Sequence, residues 1–359
     1  MRVIQKDGRP AGGPEGSAPR TADGGPAERD RSWQRELAPY ASPRLDRALL
    51  VLGTSVVPFL LLAAAAILLR PVSPLLTVAA AVPAAGFLLR TFIVFHDCAH
   101  GSFLPSKHGN RWLGRTLGLL VWTPFGAWRH SHAMHHASAG DLDRRGHGDV
   151  PTMTVAEYAA ASRATRLAYR LFRHPAVMFT IGPFFAMVLL PRLPSRRSRP
   201  RVRRSVLLND LALGAGVTVF CLLFGWQTFL LIQVPLVVLA GGAGIWLFFV
   251  QHQFEDVYWE DAPRWSYVDA ALRGSSYLKL PEVLRFFSGN IGLHHVHHLH
   301  ARIPSYNLPA AHAGSAIFRD VPEIGLWDGI RALRLKLWDE ERQRLVTFAD
   351  VGRRSTASA

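Results

Sequence analysis

Apolar residues gather into four long runs, separated by polar and basic stretches. Residues 48–69 carry no charge over 22 positions, enough for a helix to cross a hydrocarbon core of about 30 Å. Arg70-Pro71 ends that run. Residues 74–95 form the second, interrupted only by Arg90. The short gap between them predicts a tight transmembrane hairpin. Residues 206–225 and 228–250 predict a second hairpin around Trp226 and Gln227. The fourth run contains GGAG at 241–244, small residues that permit close helix packing.

Two shorter apolar stretches do not fit a crossing. Residues 177–190 are too short for a span and lead into 191–205, which holds seven arginines. The positive-inside rule puts that stretch in the cytoplasm. The 177–190 segment must then enter and leave on one side, as a re-entrant or interfacial helix, and 113–125 is expected to behave alike. Residues 326–345 place Leu326, Ile330, Leu333 and Leu337 on one helical face, predicting an amphipathic helix on the cap or the membrane. Residues 1–32 lack large apolar side chains and predict a disordered tail, without the apolar core of a signal peptide. The body is expected to span 33–345, with a flexible tail over 346–359. The fold class is therefore all-α integral membrane: two transmembrane helical hairpins, re-entrant or interfacial helices, and a cytoplasmic helical cap over 96–176 and 251–345.

Composition sharpens this picture. Hydrophobic residues make up 49% of the 359 and charged residues 19%, against about 25% charged in soluble proteins. The formal charge is +15, which would ordinarily raise nucleic acid as a partner. Here the arginines flank membrane segments, so that reading fails. Two cysteines, Cys98 and Cys221, exclude a disulfide framework and any four-cysteine metal site.

Histidine carries the chemistry. All sixteen fall on the predicted cytoplasmic side, and most cluster. His96 and His100 follow the second run as HxxxH. His132, His135 and His136 form HxxHH, and so do His294, His297 and His298 beyond the fourth run. Positions i, i+3 and i+4 share one helical face, so such imidazoles can converge on one metal or on two side by side. Eight ligands exceed the four of a tetrahedral zinc, and imidazole alone suits Fe, Zn, Cu or Ni. Apart from Asp97 the boxes hold no acid, unlike carboxylate-bridged bundles with Glu-x-x-His.

At this point the residues resemble a family. HDCAHGSF, WRHSHAMHH and GNIGLHHVHHL, with GDLDRRGHGDV at 140–150 and RIPSYNL at 302–308, are similar to the membrane fatty acid desaturases, nearest the acyl-lipid Δ12 (omega-6) branch. The resemblance implies O2-dependent desaturation of a long acyl chain at two non-haem iron ions. By position, the ligands would be His96, His100, His132, His135, His136, His294, His297 and His298. His252, where relatives place an extra ligand, would be a ninth, the alternative being a group behind the ligands. The resemblance also implies an acyl-lipid substrate within the membrane lipid and an external electron donor, ferredoxin or cytochrome b5. No HPGG haem motif is present, since His174-Pro175 is followed by Ala-Val. The same centre serves hydroxylases and ketolases of lipids or carotenoids, so the boxes leave those open. A metal transporter would place its ligands at the midplane of broken helices rather than beyond the membrane ends.

The remaining polar residues are assigned by position. His295 and His130 point off the box faces, as capping groups or contacts behind the ligands. His108, His147, His174, His300 and His312 are expected at the surface or as caps. Asp97 either orients an imidazole or caps its helix. Asn290 either holds a water or caps the following helix. Cys98 is a packing residue, and Arg90 and Asp210 pair or snorkel. Asp141, Asp143, Arg144 and Arg145 are expected to build a loop network.

Overall fold

The computed structural model describes residues 32–146, 150–194 and 198–351. The tail before residue 32, His147 and the chain beyond 351 lie outside the described residues. Among the described residues, four helices are long and apolar enough to cross a membrane: Leu45–Leu69, Pro74–His100, Pro200–Phe224 and Trp226–His252. Each starts or ends several residues outside the apolar run that predicted it. The second shows why. Ser73 caps its start by accepting from the Leu75 N–H, Pro74 supplies a preset φ at the first position, and Gly101 at φ 71° stops it. Nothing after Phe95 breaks the helix before that glycine. His96 and His100 are therefore the last turns of the span itself and do not follow it, as the apolar pattern had suggested. His252 likewise closes the fourth span.

The second and fourth spans pack against each other and are the more enclosed pair. In the second, 56% of the most apolar stretch is buried, against 17% in the first and 11% in the third. The first and third spans thus expose apolar side chains outward, as a lipid-facing layer must. Because the histidine ends of the second and fourth spans meet, both run in one direction. The third span then starts on the face where the second ends, so the chain between them begins and ends on that face. The apolar helix inside it, Ile181–Arg192, has the length of a short helix only. It packs on the fourth span at Gly241, where an added Cβ would stand 2.6 Å from Met187 Sδ and 2.8 Å from Pro183 Cβ. The GGAG stretch thus admits the non-crossing helix. Residues 113–125 split between the amphipathic helix Lys107–Leu120 and a turn into Phe125–Ser138.

Among the described residues the cap is mostly helical, with two small sheets that the apolar pattern did not predict. Met153–Thr154, Leu337–Asp339 and Arg344–Val346 form one, and Tyr277–Lys279 pairs in parallel with Glu323–Gly325 to form the other. The amphipathic helix expected over 326–345 does not form. The helix stops at Arg331, one 3-10 turn follows, and the chain enters a hairpin. Asp339 Oδ1 accepts from the Glu341 and Arg342 N–H groups and fixes the turn. Leu337, Trp338 and Asp339 are all buried, because the strand is covered on both faces and so shows no alternation. The hairpin also carries order past 345: Phe348 packs on Tyr158 and Tyr169.

Candidate metal centre

Four elements bring the imidazoles together. His96 and His100 come from the end of the second span and His252 from the end of the fourth. His132, His135 and His136 sit on Phe125–Ser138, and His294, His297 and His298 on the six-residue helix His294–Leu299. The nine predicted residues fall into two groups, within each of which the ligand atoms lie within 4.8 Å of one another. His96, His100, His132, His136 and His297 form one, and His135, His252, His294 and His298 the other. Neither contains a carboxylate.

The hydrogen bonds fix which nitrogen faces inward. His252 Nδ1 lies 3.0 Å from the Gly274 carbonyl, which can only accept, so Nδ1 carries the proton. Nε2 then presents a single lone pair to two other ring nitrogens, His135 Nε2 at 3.2 Å and His294 Nε2 at 2.9 Å. His96 Nδ1 donates to Asp97 Oδ1 at 3.1 Å, which leaves its Nε2 for its own group with His100, His132, His136 and His297. Across the first group, His136 Nε2 stands 3.2 Å from His132 Nε2 and 3.0 Å from His297 Nε2. The Nε2 atoms of His100 and His298 are buried without a hydrogen-bond partner. Ring nitrogens converging in a buried site, with the Nδ1 protons of His96 and His252 turned outward, fit bound metal better than a hydrogen-bonded cluster.

Electrostatics agree. Burial first, and neighbouring imidazoles second, hold His132, His136, His294, His297 and His298 well below the usual histidine range. These rings are neutral near pH 7, the form that ligates.

Asp97 does more than cap. Its second oxygen accepts from the Ser305 N–H at 2.7 Å, tying the first histidine box to the 302–308 loop. Asn290 does not cap the helix that starts at His294: at φ 63° its Nδ2 donates to the Ser305 carbonyl at 3.2 Å. His295 turns away from both groups, with Nε2 3.0 Å from His312 Nδ1, so His312 is a partner of His295 instead of a surface group. His130 and His108 are exposed, His300 meets the Trp33 ring edge-on, and His174 caps a helix by accepting from the Ala176 N–H. Arg90 and Asp210 do not pair: Arg90 donates to the Phe286 carbonyl, and Asp210 lies 3.6 Å from Arg192. The 141–145 network forms as expected, with Asp141 accepting from the Asp143 and Arg144 N–H groups and Arg145 paired to Glu157. Cys98 is buried packing.

Several residues of the site were not singled out from the sequence. Trp128 stacks on His132 at 4.3 Å, and Phe248 lies 5.1 Å from His135. Trp128 precedes His132 and Phe248 precedes His252 by four positions, a spacing that could have revealed them. Gly274 had no such signal. A Cβ there would meet the Ala270 carbonyl at 2.5 Å, so only glycine lets its own carbonyl reach His252. Arg173 is fully buried and donates to Gln253 Oε1 at 2.8 Å, holding the residue after His252.

Comparison with known proteins agrees with this geometry. The family model described as fatty acid desaturase matches residues 71–327. A fatty acid desaturase of Bacillus subtilis is 44% identical over 322 residues, covering 90% of this chain and 92% of that protein. An sn-1 acyl-lipid omega-3 desaturase (ferredoxin) of Synechocystis sp. is 29% identical over 61% of this chain and 62% of its own. A chloroplastic omega-6 fatty acid desaturase of Brassica napus is 26% identical over 62% of this chain and 49% of its own. With the family model spanning most of the chain and all nine clustered histidines, the chain belongs to the fatty acid desaturase family and is a membrane oxidoreductase.

Proposed function

We propose that the two histidine groups hold two non-haem irons and that the chain introduces a double bond into the acyl chain of a membrane lipid. His96, His100, His132, His136 and His297 would bind one ion, and His135, His252, His294 and His298 the other. When bound, the pair supplies the oxidising power, drawn from O2 and two donated electrons, that removes two hydrogens from adjacent methylenes. The protein supplies position and dryness. Asp97 and the Gly274 carbonyl hold the Nδ1 protons of His96 and His252, so that both rings keep their Nε2 lone pairs inward. Trp128 and Phe248 wall the rings with apolar surface and keep water from competing. Which methylene reacts is then a matter of how the acyl chain is held.

The acyl-lipid substrate draws support from the relatives named for acyl-lipid activity. The electron donor we assign is ferredoxin or cytochrome b5, and the ferredoxin in the name of one relative favours the former. We place the site on the cytoplasmic side because the arginines of 191–205 join segments on the face where the histidines meet. The single observation that carries the reading is the convergence of nine inward ring nitrogens in two groups. Expression in a host that makes no polyunsaturated lipid, followed by fatty acid methyl ester analysis, tests it. A new double bond, lost in His135→Ala and His297→Ala, is the expected product. A hydroxylated chain would transfer the site to the alternative chemistry.

A further inference from the structure

Arg90 is a cation without an acidic partner in a membrane-crossing helix. It is 9% exposed, its guanidinium lies 3.9 Å from the centre of the Phe286 ring, and one arm donates to the Phe286 carbonyl. Its Nε is buried with no hydrogen-bond partner, and among the described residues no carboxylate forms an ion pair with it. A charge in a span is costly and points to a role. Beside it opens a cavity of about 500 Å³, lined by Arg90, Glu282, Val283, Arg285, Phe286 and Asn290. None of the nine histidines lines it.

We propose that this cavity seats the phosphate of a membrane phospholipid. Two guanidiniums face one carboxylate, and that carboxylate, Glu282, is already spent on Arg285 at 3.3 Å and is almost fully exposed. The balance leaves room for an anion, and a guanidinium matches phosphate geometry with paired donors. Depth selects a lipid over a free ion. From Pro74 to Arg90 the helix rises about 24 Å at 1.5 Å per residue, against a hydrocarbon core of about 30 Å. The Arg90 side chain can therefore reach the headgroup layer. The adjoining helix Glu282–Phe287 exposes Val283, Leu284 and Phe286, an apolar face for acyl chains beside the basic cavity. A phosphate held there would also steady the turn through Asn290 into His294, which Arg90 already grips at Phe286. The site stands whether or not the bound lipid is the one oxidised.

The test is binding by the full-length protein in detergent, read by native mass spectrometry and requiring no turnover. The probes are phosphatidylglycerol, diacylglycerol with the same chains, and inorganic phosphate. Wild type should retain one phosphatidylglycerol saturably. Arg90→Gln should weaken it about tenfold or more, as loss of a charge-assisted contact predicts, and Arg285→Gln by several-fold. Diacylglycerol retention should be the same in all three proteins, and millimolar inorganic phosphate should not displace the lipid. Unchanged phosphatidylglycerol binding in Arg90→Gln would overturn the proposal. So would a parallel fall for diacylglycerol, which would mark a packing role, or displacement by inorganic phosphate, which would mark a free-ion site. If Arg90→Gln does not fold, the exposed Arg285→Gln decides, and unchanged binding there overturns the assignment.

Discussion

His252 concentrates the residue-scale argument. Its Nδ1 proton is committed to the Gly274 carbonyl, and its Nε2 stands within hydrogen-bond distance of two other imidazoles. A ligand in that position should be lost with its metal. His252→Gln is expected to reduce both bound iron and activity, whereas full iron with activity down about 10–100-fold would mark a group behind the ligands. Asp97, bonded to His96 and to the Ser305 N–H, would be such a group if His96 binds iron as we propose. Asp97→Ala should lower metal affinity about 10–100-fold, measured by chelator competition, and should loosen the 302–308 loop in hydrogen exchange. The nine imidazoles were legible in the sequence because i, i+3 and i+4 spacing and span ends carry them. Gly274 and Arg173 were not, because each acts through a contact with a chain segment distant in sequence.

At the scale of elements, the four spans were legible from apolar length alone, but their ends were not. Nothing in an apolar run marks where a helix stops, and Gly101 ends this one at His100, five residues after Phe95 ends the run. The C-terminal hairpin escaped for the opposite reason. Leu326, Ile330, Leu333 and Leu337 have helical spacing, yet Asp339 closes a turn and Trp338 is buried on a doubly covered strand. Trp338→Ala should therefore destabilise the cap by about 3–5 kcal/mol, seen as a fall in the thermal midpoint while the spans remain folded. In the membrane part, Gly241→Val should cost about 1–3 kcal/mol through overpacking, because Pro183 occupies the space its side chain needs. The same change at Gly53, where a Cβ meets nothing within 4 Å, should leave the midpoint unmoved.

At the scale of the molecule, parallel second and fourth spans put both histidine-bearing ends on one face, and the short Ile181–Arg192 helix lets the chain return to it. Reporter fusions at Arg199 and after Val351 should both read cytoplasmic. A signal from the other side at Arg199 would mean that 181–192 crosses. If the chain's excess of basic residues, +15 overall, steers an acidic electron carrier to that face as we propose, turnover at limiting donor should fall as salt rises. Equal rates at low and high salt would restrict the arginines to membrane orientation and lipid contact.

The central claim is that these nine imidazoles form two iron sites. The most direct measurement is the metal content of the purified full-length chain after reconstitution with ferrous iron under anaerobic conditions, taken with its Mössbauer spectrum. Two groups of inward nitrogen donors without a carboxylate predict about two irons per chain, in two distinguishable nitrogen-rich environments. A single iron per chain, or a chain that retains zinc and refuses iron, would contradict it.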